Sequence, residues 1–462
     1  MKRQNRVAFF NILSTLLLRG ISIITMPLFT RLLGTSSYGV TQVYNTWVSV
    51  FAIVLSLQTQ GTLVNARMEY PEDEQKRYQS SVMGMSLLMY LLCSAVILCL
   101  LNPISSALKL SKFLVILMLI QAFGTFCVNF LNQKFVYEFK AGRNMLLSLG
   151  VTLTTLVLSV VLILQLPKEI NYYGRVVAIA ATYGIIGIPA CIYILAKGKT
   201  IFRKEYWKFC IVLAIPTVFY NLSDLILGQS DKVMVQQFFG TTAVGLYGAA
   251  LNFGGIMFTI FTALNNSWCP FFFDDMKMGI RENVREKAKN YLELFTVLSV
   301  GFILLSKEVY HIFVDSSYWQ GTGMIPIFVS SYFLNFLCTF PINFEYYHKQ
   351  TKVVAMVTIS ASLVNVGLNF VLIQQFGMVG AAIATMISHC LQLVIHYGYA
   401  RLILGKKDYP FGIRLWIGYA AAYFVIVIFS CLTDGFWPIR WLLGAGIGAW
   451  ELLRIRNRKV LI

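Results

Sequence analysis

The chain has 462 residues, of which 57% are hydrophobic and only 13% charged, with a formal net charge of +18. Apolar runs of about 20 residues follow one another with joining segments that rarely exceed about 15, which leaves no room for a soluble domain. The positive charge is spread over many short joining segments instead of being massed on one face. Membrane topology and contact with anionic lipid account for it, and no nucleic acid is implied as a partner.

A bilayer core about 30 Å thick takes about 20 apolar residues as a helix, and in lipid the backbone must satisfy itself. The sequence therefore predicts an all-α integral membrane protein. Fourteen transmembrane helices are expected, at 7–29, 38–62, 80–101, 113–133, 145–166, 176–196, 209–231, 243–268, 290–313, 323–346, 354–375, 379–400, 413–432 and 438–453. The first run holds Arg19, ends in Pro27 and lacks a small-residue cleavage site, so it reads as a retained span and not a signal peptide. With the N-terminus inside, 29 of the 38 Lys and Arg residues fall in inner segments and 7 in outer ones, Arg31, Lys109, Lys112, Lys168, Arg175, Lys232 and Arg440. That bias predicts cytoplasmic termini. The nine cysteines lie mostly within spans and form no CxxC or His/Cys cluster, so neither a disulfide nor a metal is implied.

Two pairs of motifs reveal an internal repeat. Leu33–Gly39 reads LGTSSYG and Phe239–Gly245 reads FGTTAVG, 206 residues later. Gly174–Thr182 reads GRVVAIAAT and Gly377–Thr385 reads GMVGAAIAT, 203 residues later, with five of nine positions identical. A six-span unit re-enters the membrane from the same side, so the copies are parallel repeats. The expected domains are a six-helix bundle over 1–200, a second over 201–405, and an extra helix pair with a basic tail over 406–462. A central cavity is expected between the bundles.

Polar residues inside spans point to that cavity. A charge at mid-bilayer costs about 2.5–3.5 kcal/mol on insertion scales, so one that persists faces a cavity or a partner. Asn11, Thr15, Arg19 and Ser22 share one face of the first span. Thr217, Asn221, Asp224, Gly228 and Asp231 do so in the seventh, and Asn252, Thr259, Thr262 and Asn266 in the eighth. The second offers Gln42, Thr46, Ser49, Ser56 and Gln60. Arg19, Asn11, Thr15, Asp224, Asn221 and Asn252 are the candidate substrate-binding residues. Asp224, Asp231, Glu345 and His389 are the candidate ion-coupling groups, although Glu345 also reads as interfacial and His389 as a hydrogen-bonded helix residue. Lys307–Glu308 reads as an interfacial pair, and 274–289 as a surface amphipathic helix or a solvated loop. Pro216 and Pro341 are placed to kink their helices.

The motif PLFTRLLGTSSYG (Pro27–Gly39) resembles the start of bacterial polysaccharide flippases, the Wzx-type branch of the multidrug/oligosaccharidyl-lipid/polysaccharide exporter superfamily. Asp231-Lys232 with FFGTTAVGLYG (Phe238–Gly248) resembles the family's segment between the seventh and eighth helices. Asn365 and Asn369 with FGMVGAAIAT (Phe376–Thr385) resemble its segment between the eleventh and twelfth. The resemblance implies a transporter, not an enzyme. It would carry undecaprenyl-pyrophosphate-linked oligosaccharide from the inner to the outer leaflet of a bacterial cytoplasmic membrane for capsule, O-antigen or exopolysaccharide assembly, alternating between inward- and outward-open states. Its implied partners are the lipid-linked oligosaccharide, membrane lipids and polysaccharide polymerase machinery. No cofactor is implied. Coupling to protons, to sodium or to downhill consumption of product stays open, as does the sugar. Arg19 is the expected pyrophosphate ligand, because a guanidinium binds phosphate oxygens in a forked geometry. A cation-coupled drug or metabolite antiporter and a lipid II flippase of the same superfamily are the alternatives.

Overall fold

The predicted spans fall on helical segments, as a backbone in lipid requires, apart from a break inside the one over 38–62. The computed structural model describes residues 3–405 and 409–458, with the side chains of 3–9, 11, 12, 15, 16, 19, 22, 23, 455, 457 and 458 outside the described set. Among the described residues there are fourteen α-helices. They are α1 (Arg3–Leu32), α2 (Thr35–Ser56), α3 (Leu63–Glu69), α4 (Glu72–Cys99), α5 (Leu101–Leu108), α6 (Lys112–Tyr137), α7 (Ala141–Gln165), α8 (Tyr172–Gly198), α9 (Lys204–Met278), α10 (Arg281–Phe313), α11 (Ile325–Tyr347), α12 (Thr351–Gly398), α13 (Ile413–Leu432) and α14 (Trp437–Arg458). Eight helices are long and apolar enough to cross a membrane, or nine if the bent pair α2 and Thr59–Glu69 is one span. This is a multi-pass, all-helical membrane protein.

Two of those helices are each long enough for two crossings. The 75-residue α9 is broken at Gly240 (φ 77°, ψ −176°), and the 48-residue α12 at Gly377 (φ 60°, ψ −142°). Both glycines belong to the repeat motifs. Such dihedrals are essentially closed to residues with a Cβ.

Several local expectations are corrected. The span predicted over 38–62 stops at Ser56, where Leu57 and Gln58 are left-handed (φ 53° and 51°), and resumes as a short 3-10 turn and α3 at an angle of 56°. The segment 274–289 is no separate surface helix. α9 runs to Met278, Gly279 turns the chain at φ 74°, and α10 starts at Arg281. Lys112, Arg175, Lys232 and Arg440, expected in outer connections, lie within α6, α8, α9 and α14. Lys307 and Glu308 do not pair with each other: Lys307 reaches Asp434 at 2.5 Å, and Glu308 takes Arg440.

The chain divides into two compact units, Met1–Gln236 and Gln237–Ile462. In the first, Tyr78, Phe126 and Phe130 form a core with Tyr206, Cys210 and Ala214 of the first arm of α9. That arm follows the first repeat in sequence yet packs with it. α6 and α8 cross where a Cβ on Gly187 would lie 2.6 Å from the Cα of Gly124, so the two backbones touch there, as small residues permit between membrane helices. The second unit has an aromatic core in which Phe333 stacks on Tyr423 at 4.0 Å and Phe295 meets Phe336 at 4.3 Å. α14 is clasped to α10 by the ion pairs Arg440–Glu308 and Arg454–Glu293.

Candidate functional site

The break in α2 frees backbone groups that lipid cannot satisfy. Serine and threonine side chains take them up. The Ser86 hydroxyl donates to the Ser56 carbonyl at 3.0 Å and lies 2.7 Å from Thr59 Oγ1, while Ser56 Oγ accepts the Gln58 N–H at 3.1 Å. Thr62 then meets the Tyr78 phenol at 2.7 Å.

The turn so held presents Gln58 to α9. Asn221 donates to Gln58 Oε1 at 3.3 Å, Thr46 donates to Gln229 Oε1 at 3.1 Å, and Lys232 donates to Gln42 Oε1 at 3.2 Å. Gln42, Thr46 and Asn221 of the polar faces read from the second and seventh spans thus join Gln58, Gln229 and Lys232, which were not read as part of those faces, in an antiparallel hydrogen-bonded seam within the first unit. Such contacts fasten membrane helices.

Beside the seam lies an open cavity of about 360 Å³, lined by α1, α2, α6, α7 and α8. Asn45 and Ser49 of α2, Gln121 of α6, Thr152 and Thr155 of α7, and Arg175 of α8 line it, and none of its lining residues is acidic. The Arg175 guanidinium lies 3.7 Å above the Phe29 ring and 5.9 Å from that of Tyr38, a cation–π arrangement that holds the fork in place. Gln121 Oε1, Thr155 Oγ1 and Ser159 Oγ are buried with no protein partner among the described residues. Buried polar atoms are normally paired, so three orphans around one cavity mark a place for water or a polar ligand.

The sequence candidates are distributed as follows. The side chains of Asn11, Thr15 and Arg19 lie outside the described residues. Asn221 is in the seam, and Asp231 is buried beside Lys232. Asp224 and Asn252 are exposed, on the two arms of α9. His389 is buried, with Nδ1 2.7 Å from Ser331 Oγ. Glu345, two residues from the end of α11, is fully buried, and His396 Nδ1 lies 3.0 and 2.9 Å from its two carboxylate oxygens. Sequence reasoning missed Arg175 and His396. The signals were present. The repeat motif carries arginine in its first copy (Arg175) and methionine in its second (Met378), and His396 follows His389 at i+7 on one helical face.

Residues 6–276, more than half of the chain, match the polysaccharide biosynthesis protein family. The chain belongs to that family. The seam and the cavity both lie within the matched segment. Among family-scale relatives, "Lsg locus putative protein 1" of Haemophilus influenzae is 21% identical over 74% of this chain and 84% of its own length. An uncharacterized membrane protein of the same organism is 20% identical over 74% of this chain and 83% of its own. In three dimensions the chain is similar to the lipid II flippase MurJ in an inward closed conformation, with TM-score 0.64 and 17% identity over 98% of this chain and 99% of that one. It is also similar to an inward-facing MATE multidrug resistance transporter, with TM-score 0.61 and 15% identity over 84% and 94%. The fold of this polysaccharide biosynthesis protein is therefore that of the MOP superfamily of transporters.

Proposed function

We propose that the protein is a flippase that moves an oligosaccharide linked through pyrophosphate to a polyprenyl lipid from the inner to the outer leaflet of the bacterial cytoplasmic membrane. All fourteen apolar segments are spans in this reading, and both termini are cytoplasmic. The observation that carries it is the acid-free cavity, with Arg175 and a set of amide and hydroxyl groups in its wall, inside the family-matched, membrane-spanning unit. An amphiphile of this kind needs a cation for its phosphates and amide and hydroxyl groups for its sugars, while its tail stays in lipid. Arg175, already stacked on Phe29, offers phosphate a preorganised fork. Asn45, Gln121 and Thr155 offer the sugar hydroxyls donors and acceptors. At about 360 Å³ the cavity is near the small end of ligand sites, suited to the headgroup next to the lipid and not to a whole oligosaccharide.

A drug/cation antiporter would call for a carboxylate in such a place, and the cavity has none among its lining residues. A lipid II flippase uses the same chemistry and differs only in substrate. Deletion of the gene tests the assignment. A flippase mutant should accumulate an unpolymerised lipid-linked oligosaccharide facing the cytoplasm, with surface polysaccharide lost. Accumulation of lipid-linked peptidoglycan precursor instead would move the assignment to lipid II. No lipid-linked intermediate of either kind would end the flippase reading.

A further inference from the structure

A second cavity in the first unit, of about 570 Å³, shares no lining residue with the first. It lies where α3, the start of α4 and the end of α6 meet. Four basic side chains line it, Arg67 from α3, Lys76 from α4, Lys134 from α6 and Lys140 from the turn after α6, against the carboxylates Glu72 and Glu138. Glu138 is shared: Lys140 sits on it at 2.6 Å and Lys134 at 3.8 Å. Lys134 is the unusual member, because its side chain is only 6% exposed. Its ammonium lies 5.4 Å from the Tyr193 ring, and the Lys197 ammonium is 6.0 Å from the same ring. Lys140, Lys76 and Lys197 thus crowd a buried cation for which Glu138 is the nearby counter-charge.

The surrounding geometry is built and not merely solvated. The Arg67 guanidinium lies 4.8 Å from the Phe139 ring centre. Phe139 is itself left-handed (φ 57°), a state rare for a bulky residue, and is held there by bonds from its N–H to the Val136 carbonyl (3.1 Å) and from the Lys140 N–H to the Phe135 carbonyl (2.8 Å). That turn aims Glu138 and Lys140 into the cavity. Basic loops that served topology alone would leave their cations in water. Burying one among like charges is costly unless an anion joins them.

We propose that this cavity binds the phosphate diester of an anionic phospholipid headgroup, such as that of phosphatidylglycerol. Lys134 stands three residues from the end of α6, and basic residues that flank a span attract anionic lipid headgroups. Lys76 and Lys134 neutralise the phosphate. The proposal does not rest on the transported substrate, so binding is what tests it.

Protein purified in neutral detergent is titrated with phosphatidylglycerol or with phosphatidylcholine, and bound lipid is read by native mass spectrometry. Tight, saturable binding of phosphatidylglycerol over phosphatidylcholine is expected. Lys76→Gln and Arg67→Gln, both at exposed positions, should each weaken it about fivefold, the effect of one basic charge near an anionic lipid surface. Lys208→Gln, an exposed lysine outside the cavity, should leave it within about twofold. Lys134→Gln should weaken it most, and its thermal unfolding curve in detergent shows whether the variant is folded. Equal losses from Lys76→Gln and Lys208→Gln would mean diffuse surface attraction and overturn the site. So would equal binding of the two lipids. Displacement of the lipid by millimolar inorganic phosphate would overturn the lipid assignment in favour of a free anion.

Discussion

Arg175 and Glu345 show how differently two intramembrane charges can be used. Arg175 faces a cavity on an aromatic bed, with orphan polar atoms around the same space. Removing it should cost function and spare the fold. A charge-assisted hydrogen bond is worth about 1.5–3 kcal/mol, so Arg175→Ala should lower transport of lipid-linked substrate by about 10- to 100-fold at normal membrane abundance. Arg175→Lys keeps the charge and loses the fork, and should fall between. Wild-type complementation by Arg175→Ala would show that the residue only packs against Phe29. Glu345 is the opposite case, sealed against His396 with neither side chain exposed. Its removal leaves a buried imidazole without its acceptor, and breaking a buried pair costs about 3–5 kcal/mol. Glu345→Ala should therefore lower thermal stability sharply, and Glu345→Leu combined with His396→Phe should restore most of it. If the double variant is as unstable as the single ones, the two residues are not energetically coupled.

At the scale of elements, the repeat places Gly34 and Gly240 alike but uses them differently. Gly34 precedes α2 with ordinary dihedrals (φ −63°, ψ 164°), and a Cβ there would meet nothing within 4 Å. Gly240 also has open space, but its φ of 77° is closed to other residues. Gly240→Ala should thus destabilise by about 1–3 kcal/mol through the backbone alone, whereas Gly34→Ala should stay within about 0.5 kcal/mol. Thermal unfolding of the two variants in the same detergent separates them, and equal shifts would mean that the break at Gly240 is not the native backbone. Periodicity and apolar length made the helices legible in the sequence, because each is a local property. The break at Leu57–Gln58 was not legible. Neither residue is a habitual breaker, and the turn is held by Ser86, which lies on α4. Nor was the pairing of Asn221 with Gln58, for the same reason: the faces could be read one helix at a time, but the choice of partner depends on how helices far apart in sequence pack. Arg175 was misread as a loop cation because flanking charges are scored by their distance from the apolar run. In the structure α8 begins at Tyr172 and carries the side chain inward to Phe29.

For the whole molecule, the distribution of basic residues and the helix order together give an orientation that one experiment can reverse. With the N-terminus inside, 29 of 38 Lys and Arg residues are cytoplasmic, and such residues resist translocation when they flank spans in short connections. Helix membership does not by itself change that bias. Lys112, Arg175, Lys232 and Arg440 belong to helices, Lys232 hydrogen-bonded to Gln42 and Arg440 paired with Glu308, and so do inner cations such as Lys76, Lys134, Arg285 and Arg454. The connection between α8 and α9 keeps its cations at the surface, where Arg203 pairs with Glu205 at 3.1 Å and with Glu74 at 3.7 Å. That contact also fixes the start of α4 on the same side as the start of α9. In a background without native cysteines, Lys204→Cys should be shielded from an impermeant thiol reagent in intact cells and react once they are lysed. Lys168→Cys, in the connection between α7 and α8, should react in intact cells. Because α8 is one span of 27 residues, the two positions must lie on opposite sides. Labelling of Lys204→Cys but not Lys168→Cys in intact cells would invert the molecule. The basic cavity beside Lys134 would then face the outer leaflet, and the anionic lipid it binds would have to come from there.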